Sequence, residues 1–351
     1  MTTRPISVLY MLSWLLPLLA LFGMLAGGIA SFSLPLFAFV LLPLGDWLVG
    51  RAPRLPHHVE SSGSQYILEA FVPLCVGVLV IGVLSARHWT ALEWVGNTLA
   101  LGIQAGVGLA ASHELGHSPG WLQRKLSRLL VWTSCYGHYH VEHLHGHHVW
   151  LGTPHDPCTA RRGQTFYRFW RQAVTGSFRC AWQHESQRLM KLRLPDWHWR
   201  NEVLLGVTIS VGLLAAAYYF AGLAGAMTFI VQAVVGFSLL EAVQYIEHYG
   251  LMRAQRADGG FERATAAHSW SSNFRLSNYL MFELQRHADH HVRPGAPFAT
   301  LGDQAESPML PGSYPMMILL ALVPVAWFRV MHPRLDRHYH NVSTQRGVLS
   351  A

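Results

Sequence analysis

Charge is what this chain of 351 residues has least of: Asp, Glu, Lys and Arg make up 13% of it, about half the roughly 25% of an average soluble domain. Cysteine is scarce as well. Four residues (Cys75, Cys135, Cys158 and Cys180) with no Cys-x-x-Cys pair exclude a dense disulfide scaffold. A small-residue cleavage site leading into a polar mature sequence is missing behind the N-terminal apolar run, although Arg4 precedes that run. A retained first span is therefore expected in place of a signal peptide. Disorder is excluded too, because it requires low hydrophobicity and high charge, and this chain is 51% hydrophobic. Its mean hydropathy of +0.22 is high for a water-soluble enzyme. Histidine is what the chain has in excess. Its 22 residues outnumber the 19 acidic ones and approach the 26 Lys and Arg, nearly all of them Arg.

Crossing about 30 Å of hydrocarbon takes roughly 20 apolar residues. Six stretches qualify: Ser7–Gly27, Gly28–Gly50, Tyr66–Ser85, Ala91–Ser112, Val203–Ala224 and Gly225–Glu247. The first two abut at Gly27-Gly28 and the last two near Gly222–Gly225, so both pairs read as tight helical hairpins. A seventh run, Tyr314–Met331, is interrupted by Pro315 and Pro324 and reads as re-entrant or surface-lying. The expected fold is all-α and integral to the membrane, a single domain over 1–351 with about six spans and a histidine-rich helical cap. With the N-terminus inside, the outer loops near Gly27, at Ala86–Thr90 and near Gly222 hold one cation, Arg87. The others fall at the N-terminus, in Arg51–His58, in His113–Glu202 and after Glu247. The positive-inside rule then places both termini and the polar regions 113–202 and 248–351 in the cytoplasm of a bacterial-type inner membrane. Basic loops beside anionic headgroups account for the positive balance, so nucleic acid is not expected as a partner.

Only His88 lies outside in this topology. Most of the remaining histidines fall in four clusters at cytoplasmic ends of spans. His113 and His117 are spaced i,i+4, which puts both rings on one helix face, where they can share a metal. His143 and His147 repeat that spacing with His148 adjoining. His248 closes the sixth span, and His287 stands three and four residues before His290 and His291. A lone histidine is ordinarily a hydrogen-bonded interface residue. Packed rings that can each take a proton repel one another, so clusters converging on one membrane face point to metal. The candidates number nine. One tetrahedral zinc takes four, so nine suit two ions with four or five each; iron, zinc and copper all accept nitrogen donors, and the pattern leaves the metal open. His113-Glu114-x-x-His117 also fits the zinc-protease pattern, but a protease would leave the other seven unexplained. Transporters place their ligands mid-membrane along a path, whereas these boxes gather at one face.

These boxes resemble those of the membrane-bound alkane 1-monooxygenases and the related xylene hydroxylases, within the integral-membrane fatty acid desaturase and hydroxylase superfamily. The resemblance lies in His113-Glu-Leu-Gly-His117, Glu142-His-x-x-Gly-His-His148, Glu247-His-Tyr-Gly250 and Leu284-Gln-Arg-His-x-Asp-His-His291. It extends to Thr153-Pro-His-Asp-Pro157, Phe166-Tyr-Arg-Phe169, His268-Ser-Trp270 and Pro311-Gly-Ser-Tyr-Pro315, covering roughly 99–337. Ser118 stands where the family usually has Lys, and His145 and His155 stand where it usually has other residues. The resemblance implies two iron ions held by His113, His117, His143, His147, His148, His248, His287, His290 and His291. It implies an O2-dependent monooxygenase acting on the terminal methyl of a medium-chain alkane. Electrons would come from rubredoxin or ferredoxin and an NAD(P)H-dependent reductase. An aromatic-methyl hydroxylase, or an acyl desaturase or decarboxylase, could use the same site. Glu114, Glu142, Glu247 and Asp289 adjoin ligands and are expected to accept the outer ring N–H; a cap or surface carboxylate is the plainer role. Asp46, Glu69 and Glu241 fall inside spans and need partners. Arg161, Arg162, Arg168, Arg171 and Arg179 could dock an acidic electron carrier or serve as juxtamembrane charge.

Overall fold

The computed structural model describes residues 7–52 and 63–349; Arg4 and most of the Arg51–His58 segment lie outside them. Among the described residues there is no β-strand, only three isolated bridges. The long helices are α1 (Val8–Ala26), α2 (Gly28–Val49), α3 (Ser64–Ser85), α4 (Ala91–His117), α5 (Trp121–Thr133), α6 (Phe166–Lys191) and α7 (Glu202–His248). After them come α8 (Tyr314–Ala321) and α9 (Pro324–Leu349). The chain is an all-helical membrane protein. Its helices α1, α2, α3 (continued to His88) and α7 are each long and apolar enough to cross a bilayer. Helix α7, with 47 residues, is long enough to cross twice at 1.5 Å per residue. It breaks at Gly222, where φ is +65°, a left-handed value that costs glycine nothing. The expected hairpin break thus sits at the first of the small residues in Gly222–Gly225.

The expected span at Ala91–Ser112 is a helix that runs on to His117, but it is less apolar than the other four. Asn97, Thr98 and Gln104 are buried along it. The reason is its position: α4 is the central helix and meets protein on several sides, so it can carry polar groups that lipid would not accept. Its start is set by a capping box in which Thr90 and Glu93 satisfy each other's backbone N–H. Glu93 also accepts from the backbone N of Gly28 at 2.7 Å, which pins the α1–α2 turn to α4.

The second half of α7 lies along α4, and the two run parallel. Trp94 Nε1 donates to Thr228 Oγ1 at 2.9 Å. Farther up, Gly102 packs on Val235, Ala105 on Gly236 and Gly106 on Leu239. Small residues at this spacing, Gly102 four residues before Gly106, let two helix backbones approach closely. Because the helices are parallel, their C-terminal ends emerge together, bringing His113 and His117 beside His248. The first half of α7 returns antiparallel, with Gly206 against Gly137 and Ser210 Oγ donating to Trp132 O.

Above this bundle the chain from 138 to 160 and from 266 to 312 forms short helices and turns. Behind them lies an aromatic core of Phe169, Tyr245, Tyr249, Trp270, Tyr314 and Trp327. The apolar run at Tyr314–Met331 is not straight: α8 and α9 meet at 119°, and the break falls just before Pro324, which opens α9 and cannot donate a backbone hydrogen bond back into α8. The costly carboxylates find partners. Asp46 accepts from the Ser277 backbone N (3.1 Å) and hydroxyl (2.5 Å). Glu69 accepts from Gln65 and Gln123. Glu241 accepts from Tyr136 at 2.7 Å and from Gln244.

Candidate metal centre

All nine predicted histidines come together, in two adjoining groups. His113, His117, His143, His148 and His290 form one; His147, His248, His287 and His291 form the other. Within each group every member offers a ring nitrogen within 4.8 Å of all the others. The groups touch through His148 and His291, whose ring centroids are 4.7 Å apart.

The boxes are not divided as helical spacing predicts. His113 and His117 stay together, as do His287 and His291, but His143 and His147 part company and His290 leaves its neighbours. A π-helical turn over His143–His147 is the reason for the first split. In such a turn the repeat lengthens toward i,i+5, so His143 shares its group with His148 and His147 faces the other way. In the fourth box, His290 projects from the one-turn helix His287–Val292 about 100° from His291 and joins the first group.

The nitrogens meet in a way that protons alone do not satisfy. His143 Nε2 lies 3.1 Å from His117 Nε2 and 2.9 Å from His148 Nε2. His287 Nε2 lies 3.1 Å from His248 Nε2 and 2.8 Å from His291 Nε2. One imidazole nitrogen holds at most one proton, so each hub can satisfy only one of its contacts. His113 Nε2 is buried with no hydrogen-bond partner. A cation with nitrogen ligands at about 2.1 Å would put neighbouring donors roughly 3 Å apart, and would take up these nitrogens. The residues present therefore fit a pair of metal ions. Burial, followed by neighbouring imidazoles, holds His143, His290 and His291 well below the usual histidine range. The rings are thus neutral at physiological pH, the form that ligates.

The adjoining carboxylates do not take the places expected of them. Glu114 accepts from Phe298 N at 2.9 Å. Glu142 faces the Cys158 thiol. Asp289 is engaged by Arg293, Gly302 and Gln304. Glu247 does reach a histidine, but at His287 Nε2, the shared nitrogen and not the outer one. The carboxylate that accepts an outer ring nitrogen is Asp156, 3.0 Å from His147 Nδ1. It is itself fixed by the Thr159 hydroxyl at 2.6 Å and the Cys158 backbone N at 2.9 Å. Sequence spacing missed it because it lies nine residues from its partner; the segment Thr153–Pro157 was the available signal.

The family model for fatty acid desaturase matches residues 87–321, which contain all nine histidines. Alkane 1-monooxygenase 2 of Pseudomonas aeruginosa is 40% identical over 86% of this chain and 83% of its own length. The chain belongs to the fatty acid desaturase family, on its alkane 1-monooxygenase branch. Alkane 1-monooxygenase of Acinetobacter baylyi is 32% identical, covering 97% of this chain and 87% of the relative. The xylene/toluene monooxygenase hydroxylase component of Pseudomonas putida is 29% identical over 82% of the chain. Within this branch the chain is an enzyme of the alkane 1-monooxygenase type, and its two histidine groups are the candidate centre of its chemistry.

Proposed function

We propose that this chain is a non-haem di-iron monooxygenase that hydroxylates the terminal methyl of a medium-chain alkane with O2. The observation that carries the reading is the pairing of a five- and a four-imidazole group beside a cavity lined by apolar residues. Leu16, Ala38, Leu42, Ile103, Val243 and Leu280 are among its walls, and no charged residue is. Ala110 and Leu284, which also line it, stand one turn before His113 and His287. An unactivated C–H bond offers no acidic or polar handle, so acid–base residues cannot attack it; bound iron would supply the O2 chemistry that can. The chain's own task is to hold the donors, keep an alkyl end next to them and exclude water. The cavity walls, drawn from α1, α2, α4, α7, α8 and the 280–284 segment, do the last two. Because those helices include candidate spans, an alkane dissolved in the bilayer can reach the cavity without crossing water. The nine histidines are the proposed iron ligands, at the cytoplasmic face of an inner membrane, with rubredoxin or ferredoxin and its reductase supplying electrons.

Iron analysis of the purified protein should find about two per chain. Cells given octane, dodecanoic acid or xylene alongside a rubredoxin should release 1-octanol. Stoichiometric zinc with no iron sinks the di-iron reading, and benzylic alcohol or alkene as the sole product moves the reaction to one of its relatives.

A further inference from the structure

Two adjacent residues beside the centre hold a backbone conformation that side chains rarely adopt. Phe282 has a φ of +52° and Glu283 a φ of +58°, in the left-handed region, where a non-glycine residue is uncommon and a bulky one an outlier. No other two neighbouring non-glycine residues do this among the described residues. The joint they form connects two functional stretches. Leu280, Met281 and Leu284 line the apolar cavity, and His287, His290 and His291 follow shortly after. Those three imidazoles serve both groups, so whatever fixes the joint fixes the aim of donors in each.

Backbone strain persists only where the surroundings over-determine it, and here they do. The buried Phe282 ring lies 5.3 Å from that of Phe71 and 5.6 Å from that of Phe298. The Glu283 carboxylate, also buried, accepts from the Tyr10 hydroxyl of α1 at 2.8 Å and pairs with Arg286 at 3.2 Å. Arg286 donates in turn to Leu301 O and to the Asn273 side chain, and its backbone N–H closes onto Glu283 O. Resting on the two-metal reading above, we infer that Glu283 is a positioning residue. With Tyr10 and Arg286 it clamps the left-handed joint, and so presents the fourth histidine box to both metals at a fixed offset from the cavity wall. Without the clamp the joint relaxes toward ordinary backbone before metal binds, and binding has to restore it. Glycine at this position needs no clamp, because the left-handed region costs it nothing.

Co(II) titration of the metal-free protein in detergent, comparing Glu283→Ala with Glu283→Gly, isolates the joint. Both variants deprive Tyr10 and Arg286 of the carboxylate, but only alanine keeps the strained φ. Glu283→Ala should bind Co(II) about five- to thirtyfold more weakly than Glu283→Gly, with visible bands displaced from those of wild type. Glu283→Gly should stay nearer to wild type in both respects. Equal affinities and bands in the two variants, or weaker binding by the glycine variant, overturn the assignment. If either variant fails to fold, Tyr10→Phe decides, since it removes a single oxygen atom from the clamp. Its Co(II) bands should be displaced as well, and bands identical to those of wild type overturn the assignment. Uptake of fewer than two equivalents by wild type refutes the two-metal reading and this inference with it. Uptake of two equivalents with no difference between alanine and glycine refutes this inference alone.

Discussion

The two imidazole groups are built from the same residue type and touch each other, yet their surroundings differ. The five-membered group draws on α4, the π turn and the fourth box, and two of its rings, His117 and His148, are only partly buried. The four-membered group is more enclosed, with only His291 partly exposed, and it has Asp156 behind His147 and Glu247 beside His287. One group is rich in donors and open; the other is poorer in donors, closed and braced by charge. The lesson is that a cluster of imidazoles can be held by the number of its members or by the quality of its support, and the two groups differ in that way.

The largest expected effect tests whether donor number matters. His248→Ala leaves three imidazoles in the smaller group, and hydroxylation should fall at least about 100-fold, with one metal equivalent lost, because ligand loss exceeds the ~10–100-fold cost of losing an outer partner. His117→Ala leaves four in the larger group and should retain more metal. Equal losses of metal in the two variants would break the comparison. Next in size is Asp156→Asn, which removes the acceptor from His147. Metal affinity should weaken by about 10–100-fold in the four-membered group alone, as read by competition with a chromophoric chelator. A uniform weakening of both sites would show that Asp156 supports the whole cap.

Exposure should govern release. Under chelator challenge the ion of the open group should leave first, giving two kinetic phases, with the faster one accelerated by His117→Ala; a single phase would mean that the groups act as one. The smallest effect belongs to histidines outside both groups. Burial pushes His138 and His140 down to about 4, while an unfolded histidine titrates near 6.5. Between those values the unfolded chain binds more protons, so stability falls as pH falls, by on the order of 1 kcal/mol per pH unit per histidine. Thermal midpoints in detergent should drop from pH 6.5 toward pH 4.5, and less steeply in His138→Asn, if this accounting holds. An unchanged slope would mean that His138 is not buried neutral.

Much of this architecture is legible along the chain. The turn at Gly27-Gly28, the break near Gly222 and the interrupted run at Tyr314–Met331 all follow from glycine and proline chemistry that acts over a few residues. The nine histidines were likewise legible, because imidazoles at i,i+3 and i,i+4 have few other reasons to recur. What escaped was anything that depends on a partner distant in sequence or on a departure from helical repeat. Spacing placed His143 and His147 on one metal, and the π turn separated them. Adjacency nominated Glu114, Glu142, Glu247 and Asp289 as supports, whereas folding gave that task at His147 to Asp156. Periodicity could not show that α4 runs parallel to the end of α7, since that depends on the register of Gly102, Gly106 and Gly236 against their neighbours.

Composition and local spacing, then, determined on their own that this is a greasy helical protein with nine candidate nitrogen donors, because side-chain chemistry and hydrophobicity belong to each residue wherever it goes. Only the tertiary structure decided which imidazoles share a group. Membership in a group is a matter of ångströms between boxes separated by as many as 177 residues, from His113 to His290. Those distances are set by two close-packed parallel helices and one irregular turn, neither of which spacing along the chain encodes.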